Sequence, residues 1–365
     1  MSEKPLAGLK VVEIASIGPG PFAAMMLADH GAEVIRIDRP GGANTGVSHR
    51  TRDPLLRGRK VVELDLKVEG NAEKVLQLVE QADVLIEGYR PGVMERLGLG
   101  PDICMARNAK LVYGRMTGWG QDGPLARAAG HDINYIALTG ALDAVGTVDS
   151  GPVPALNLIG DFGGGGMLLS FGVVSAVLKA RLCGQGSVVD AAMVDGAALL
   201  MCMPFGLKAA GYWSGGREQN LLDGGAPFYG TYQTSDRKWV AIGSIEQPFW
   251  LELCTLLGLE GDILKKRMEP SNWLEIKAMV AARIAEKTRN EWVEIFAGSD
   301  ACFAPVLSMD EVNDHPHTRG RQVFQKVDDI LQPAPAPRFD GKMPKVAPVD
   351  TTPVDIGEVL KNWEK

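Results

Sequence analysis

The chain has 365 residues, of which 45% are hydrophobic and 23% charged, and a formal net charge of −7. That length is too great for one small core and suits two domains, and the composition is that of an ordinary globular protein. The acidic balance argues against wholesale binding to nucleic acid or to an anionic membrane surface.

In chain order, the first 120 residues alternate β-branched runs with helical stretches: LKVVEIA, FAAMMLADHG, AEVIRID, KVVELDL, NAEKVLQLVEQ, ADVLIEG and, later, LVYGRMTG. This rhythm predicts βαβ units and an α/β fold with a mostly parallel, doubly wound sheet. A helix is predicted at INYIALTG, and a long apolar one over 156–178 with Asp161 at its N-terminal edge. A further helical stretch near VVDAAMVDGAALLMCMPFGLKAAGYW leads into a second region. There FYGTYQTSDRKWVAIGSI reads as a hairpin turning at Ser235-Asp236, with helices around 247–258, 272–286 and 289–297, a smaller α+β domain. The proline-rich stretch 332–350 is expected to run extended over the surface, and DIGEVLKNW to form a terminal helix.

The five cysteines (Cys104, Cys183, Cys202, Cys254, Cys302) are odd in number and never form a C-x-x-C pair, which argues against a disulfide framework or a zinc site and for a reducing compartment. The opening MSEKPLAGLK lacks the apolar core of a signal peptide, no apolar stretch reads as long enough to span a bilayer, and KNWEK is not a peroxisomal address. A cytoplasmic protein that does not enter membranes is expected.

Three constellations bear on chemistry. The first βα turn, EIASIGPGPFAAMM, follows a strand and opens a helix, but Pro19 and Pro21 remove the N–H donors a dinucleotide turn uses, so no nicotinamide or flavin is expected. Arg36, Arg39, Arg50, Arg52, Arg57, Arg59 and Lys60 form a basic cluster near a strand's C-terminal end. It reads either as a site for a polyphosphorylated small ligand or as a solvated arginine-rich loop. In AAGHDINYIALTG and LNLIGDFGGGG, Asp132 and Asp161 each read as the cap of the helix that follows, and His131 as a structural residue or a base. Caps do not explain Gly163 to Gly166, since glycine costs up to about 1 kcal/mol in a helix interior. Close approach by a backbone or a ligand does.

GHDINYIALTG, LNLIGDFGGGG, LLDGGAPFYGTY and VAIGSIEQPFW, with IGPGPFAAMMLADHGAEVIRIDRPG, EGYRPGVMERLGLGP and DACFAPVLS, resemble the α-methylacyl-CoA racemase branch of the family III CoA-transferase superfamily. The similarity runs through nearly the whole chain. One departure is IEQPFW at Glu246, where the family carries I-E-P-Q-F. The resemblance implies a large Rossmann-like domain over 1–200, a linker over 201–224, a small domain over 225–330 and a returning segment over 331–365. It further implies an interlocked homodimer with active sites shared between subunits.

Carried over by position, the resemblance makes His131 and Asp161 an acid/base pair that interconverts (2R)- and (2S)-2-methylacyl-CoA thioesters, with Glu246 of the partner subunit orienting the histidine. The backbone N–H of Asp132 would hold the enolate oxygen, with Asn157 and Tyr229 supporting the pair. Coenzyme A would lie along Arg39, Leu64, Asp65, Leu66, Lys67, Gly88, Tyr89, Arg90, Arg96, Gly130 and Tyr135. Met193, Met201 and Met203 would offer the acyl chain a pliable surface, though a Met-rich helix packs cores equally well. No metal and no cofactor beyond the substrate's own coenzyme A is implied. The rival readings are a family III CoA-transferase with Asp161 as nucleophile, and an acyl-CoA-binding protein without catalysis.

Overall fold

The computed structural model of the chain describes residues 4–42, 50–213 and 215–364, Arg50 in its backbone only. Two compact units divide it: Met1–Thr139, Leu156–Leu200 and Pro316–Lys365 form one, Gly140–Ala155 and Met201–His315 the other.

The first unit is built on six parallel strands, β1 (Lys10–Ile14), β2 (Glu33–Asp38), β3 (Arg59–Glu63), β4 (Val84–Glu87), β5 (Val112–Thr117) and β6 (Ser187–Ala192), in the order β3-β2-β1-β4-β5-β6. Strands covered on both faces read as near-continuous apolar runs. Val11, Val34, Val84, Ile86 and Val112 face one side, where helix α1 (Pro19–Asp29) and a long helix pack. Val12, Ile14, Ile35, Leu85 and Tyr113 face the other, against the helices Asn71–Val79 and Ile356–Trp363.

The helix α2 (Asp132–Ala137) precedes the long helix α3 (Leu158–Cys183), whose first ten residues are wound as π-helix and the rest as α-helix. α3 is long and apolar enough to cross a membrane by length and composition, which corrects the expectation that no stretch is. Its apolarity has a nearer use. Leu169, Val173, Ala176, Val177 and Ala180 pack into the core on the sheet.

The glycine run is explained by contacts of α3 with α1 and with α4 (Met193–Leu200). A Cβ on Gly196 would lie 1.8 Å from the Gly164 carbonyl oxygen, and one on Gly164 2.6 Å from the Ala197 nitrogen. One on Gly166 would lie 2.6 Å from the Phe22 ring. Backbone meets backbone where any side chain would separate the helices.

In the second unit Gly230–Gln233 and Trp239–Ile242 pair antiparallel around the turn containing Ser235 and Asp236, and Phe303–Pro305 completes a three-stranded sheet. Helices Gln247–Leu257, Trp273–Ile284 and Arg289–Ile295 enclose a core with Phe228, Trp250, Trp273 and Trp292.

Candidate active site

The strand order reverses between β1 and β4, and in open α/β sheets ligands bind outside the strands' C-terminal ends at such a switch point. There a cleft of 1080 Å³ opens in the first unit, lined among others by Gly18, Gly88, Tyr89, Arg90, Gly130, His131, Asn157, Asp161 and Met193.

His131 stands at the N-cap position of α2 with extended backbone, and its N–H donates to Asn134 Oδ1 at 3.0 Å. Its approach is fixed by Tyr135, whose hydroxyl donates to the Gly130 carbonyl at 2.5 Å. The Tyr135 ring fills a slot that only glycine leaves open: a Cβ on Gly118 would lie 2.1 Å from it, and one on Gly130 2.7 Å. Trp119 packs edge-on against that ring at 4.8 Å.

Neither aspartate caps as the local pattern predicts. Asp132 is the first residue of α2, and its Oδ2 reaches across to accept the N–H of Gly160 at 2.6 Å and of Asp161 at 2.7 Å. These are unpartnered donors of the first turn of α3. Asp132 therefore caps the neighbouring helix and ties the segment bearing His131 to the one bearing Asp161. Asp161 lies inside α3, where Asn157 holds the N-cap position and donates through Nδ2 to Asp161 Oδ2 at 3.0 Å. Gly18, at φ 68°, brings α1 close: a Cβ there would lie 3.2 Å from the same oxygen.

Burial raises the Asp161 carboxyl above its ordinary value; the Asn157 hydrogen bond opposes that, the Asp132 charge adds to it, and His131 opposes it. A carboxyl so held exchanges its proton more readily near neutrality than an exposed one. The N–H of Asp132, at the helix start, has no carbonyl of its own helix to bond and sits beside His131.

The basic cluster is largely internal, which corrects both readings of it, as one polyanion site and as a solvated loop. Arg36 pairs with Glu13 at 2.6 Å and Asp38 at 3.2 Å. Arg57 grips Asp29 at 3.0 and 2.6 Å and also donates to Gln332 and the Pro333 carbonyl. Arg59 pairs with Glu13, and Lys60 with Glu33. Arg39 and Arg52 are exposed, and the Arg50 side chain lies outside the described residues.

Of the expected coenzyme A positions, Gly88, Tyr89, Arg90, Gly130 and Tyr135 line the cleft. Arg39 follows β2, near enough to act electrostatically on the Tyr89 phenol. Leu64 to Lys67 follow β3, with Leu64 buried in the core and the Asp65 carboxylate accepting the Lys67 N–H at 3.0 Å. Arg96 ends the helix Val93–Arg96. These lie outside the cleft's lining.

Glu246, Tyr229, Met201 and Met203 belong to the second unit. Glu246 is the N-cap residue of the helix Gln247–Leu257 and makes no cap bond with its side chain. The Gln-Pro order puts Pro248 in the first turn, where a missing N–H costs no intrahelical bond. Sequence reasoning missed Gly18, Gly118 and Trp119. The glycines carried a signal, since each stands just beyond a strand where a neighbour's side chain crowds the backbone.

A family model for CoA-transferase family III matches residues 6–355. The α-methylacyl-CoA racemase of Mus musculus is 44% identical over 333 residues, covering 91% of this chain and 86% of the relative. The α-methylacyl-CoA racemase of Homo sapiens matches with the same identity and coverage. Among solved structures, the Rv3272 protein of Mycobacterium tuberculosis superposes with a TM-score of 0.82 at 28% identity, over 98% of this chain and 99% of that one.

Proposed function

The chain belongs to CoA-transferase family III, and from that premise we propose that it interconverts (2R)- and (2S)-2-methylacyl-CoA thioesters by proton transfer through an enolate. The observation that carries this reading is the lining of a single cleft by His131 and Asp161, cross-braced by Asp132. The 44% identity to two racemases favours it over the transferase alternative.

Inverting the carbon next to a thioester requires a base on one face and an acid on the other. His131 takes the α-proton of one enantiomer, the electron pair delocalises into the thioester carbonyl as an enolate, and the Asp161 carboxyl returns a proton from the opposite side. The reverse reaction exchanges the roles. Positioned acid/base catalysis of this kind contributes about 10²–10⁴-fold. The Asp132 N–H donates to the enolate oxygen, and the loss of one such donor typically costs about 10²–10³-fold. Asn157 orients Asp161 through its 3.0 Å hydrogen bond. Arg39, Arg90 and Arg96 hold the coenzyme A phosphates, Met193 meets the acyl chain, and the steps as written draw on no metal, nicotinamide or flavin.

The reading includes a homodimer in which Glu246 and Tyr229 act from the partner subunit. Its support is apolar surface left exposed: on α3, Phe171 is 72%, Leu178 61% and Leu182 80% exposed, and Leu199, Leu200 and Phe205 are also bare. Large apolar side chains exposed together along one helix, as on α3, mark interaction sites.

A single enantiomer of a 2-methylacyl-CoA, incubated with the protein in D₂O and followed by NMR, is expected to lose its α-proton to deuterium and racemise. Transfer of coenzyme A to an added free carboxylate without α-exchange would establish the transferase instead.

A further inference from the structure

Behind the cleft wall at Gly88–Arg90, three charged side chains are joined in a line. Glu87 closes β4 and faces Arg115 of β5 as its register partner. Arg115 Nε donates to Glu87 Oε1 at 3.0 Å, and Arg115 Nη1 meets Glu95 Oε1 at 2.9 Å. The second oxygen of Glu87 accepts the Tyr89 N–H at 2.7 Å. Glu87 is fully buried, the Arg115 side chain is 9% exposed and that of Glu95 44%.

One guanidinium thus holds both ends of a short segment. At the near end it fixes Glu87 and, through it, Tyr89. At the far end it fixes Glu95, the neighbour of Arg96. Between them Gly88 has no slack, since a Cβ there would lie 2.8 Å from the Ser16 hydroxyl. A buried ion pair of this kind adds little net stability over an apolar substitute. Burial pushes the Glu87 carboxyl up to about 7, against the opposing pull of the Tyr89 N–H and Arg115. What the arrangement supplies is a defined geometry for the backbone it grips.

We propose that Arg115 is a positioning residue for the nucleotide end of the substrate, setting the Gly88–Arg96 segment through Glu87 and Glu95 so that Tyr89, Arg90 and Arg96 meet coenzyme A together. The inference rests on the racemase reading above. Arg115 itself touches no reacting atom, so its effect must appear in binding of the nucleotide and vanish when the nucleotide is absent.

The test compares Arg115→Met and Glu95→Gln with the parent on two substrates, a 2-methylacyl-CoA and the same acyl group on N-acetylcysteamine, which lacks the nucleotide. Glu95→Gln leaves the buried Arg115–Glu87 pair in place, so it reports even if Arg115→Met folds poorly. For acyl-CoA we expect KM to rise about tenfold in Arg115→Met and a few-fold in Glu95→Gln, with kcat within about twofold, as for a lost ground-state contact. On the truncated thioester both variants should match the parent. Equal KM increases on both substrates, a fall in kcat at unchanged KM, or parent-like constants in folded variants would overturn the proposal. Should the parent racemise neither substrate, the racemase reading falls, and calorimetric titration with free coenzyme A then decides the clamp. Weaker binding by the variants sustains it, and equal affinity or no binding by the parent overturns it.

Discussion

Replacing Asp132 separates its two contributions. The Asp132 side chain belongs to a residue 5% exposed and accepts two backbone N–H groups on one oxygen, at 2.6 and 2.7 Å. Hydrogen bonds to a charged group are worth about 1.5–3 kcal/mol each, whereas a lost helix cap costs about 0.5–2 kcal/mol. Since both bonds end on a single oxygen at a helix start, Asp132→Ala is expected to lose about 2–4 kcal/mol, measured as a lower urea midpoint. Asp132→Asn keeps the shape and one acceptor but removes the charge. That charge helps to raise the Asp161 carboxyl, so its removal lets the Asp161 pKa fall. In the direction where Asp161 is the base it must be ionised, and activity rises as pH passes upward through its pKa. The acid limb of kcat/KM, read as deuterium wash-in from the enantiomer that Asp161 deprotonates, should therefore move to lower pH in Asp132→Asn. An Asp132→Ala protein as stable as the parent, or an acid limb unmoved in Asp132→Asn, would refute the reasoning.

Breaking the buried Arg57–Asp29 pair by Arg57→Met should cost about 3–5 kcal/mol of stability and leave KM for acyl-CoA unchanged in the folded fraction; a raised KM would return Arg57 to the ligand site. Gly18→Ala puts a Cβ 3.2 Å from Asp161 Oδ2 at a backbone φ of 68°, so kcat should fall several-fold with little change in KM, which steady-state kinetics on acyl-CoA will check. Inactive His131→Ala and Glu246→Ala subunits, refolded together, should regain partial activity if the two residues act across a dimer, and verified heterodimers without recovery would place them in one chain's site.

The strands β1 to β5 were legible because burial on both faces favours short β-branched runs, as in KVVEI and EVIRID. β6 was not: SVVDAA runs straight into the helix beginning at Met193 with no turn residue between, so its strand character merges with the helical pattern. The glycine run announced a close approach, but which helices approach is a tertiary fact. Asp132 shows the limit most clearly. Read locally, an aspartate at a helix start caps that helix, and only the fold brings Gly160 within its reach. The arginines misled for the same reason, because Glu13 and Asp29, which neutralise them, are distant in sequence and brought close only by the fold, Glu13 from the strand β1 and Asp29 from the end of α1. The roles of His131 and Asp161 came from family resemblance; their residue types and spacing alone reached no further than a capped helix.

Where Gly164 meets Gly196, no side chain separates α3 from α4. Two helices meeting through bare backbone cannot slide or part without opening a void, so Asp161 on one and Met193 on the other travel as one body. Any tolerance for acyl groups of different shape must then come from rotamers at the cleft's edge. Redesign for a bulkier substrate is best aimed at the thioether side chains, with both glycines left alone.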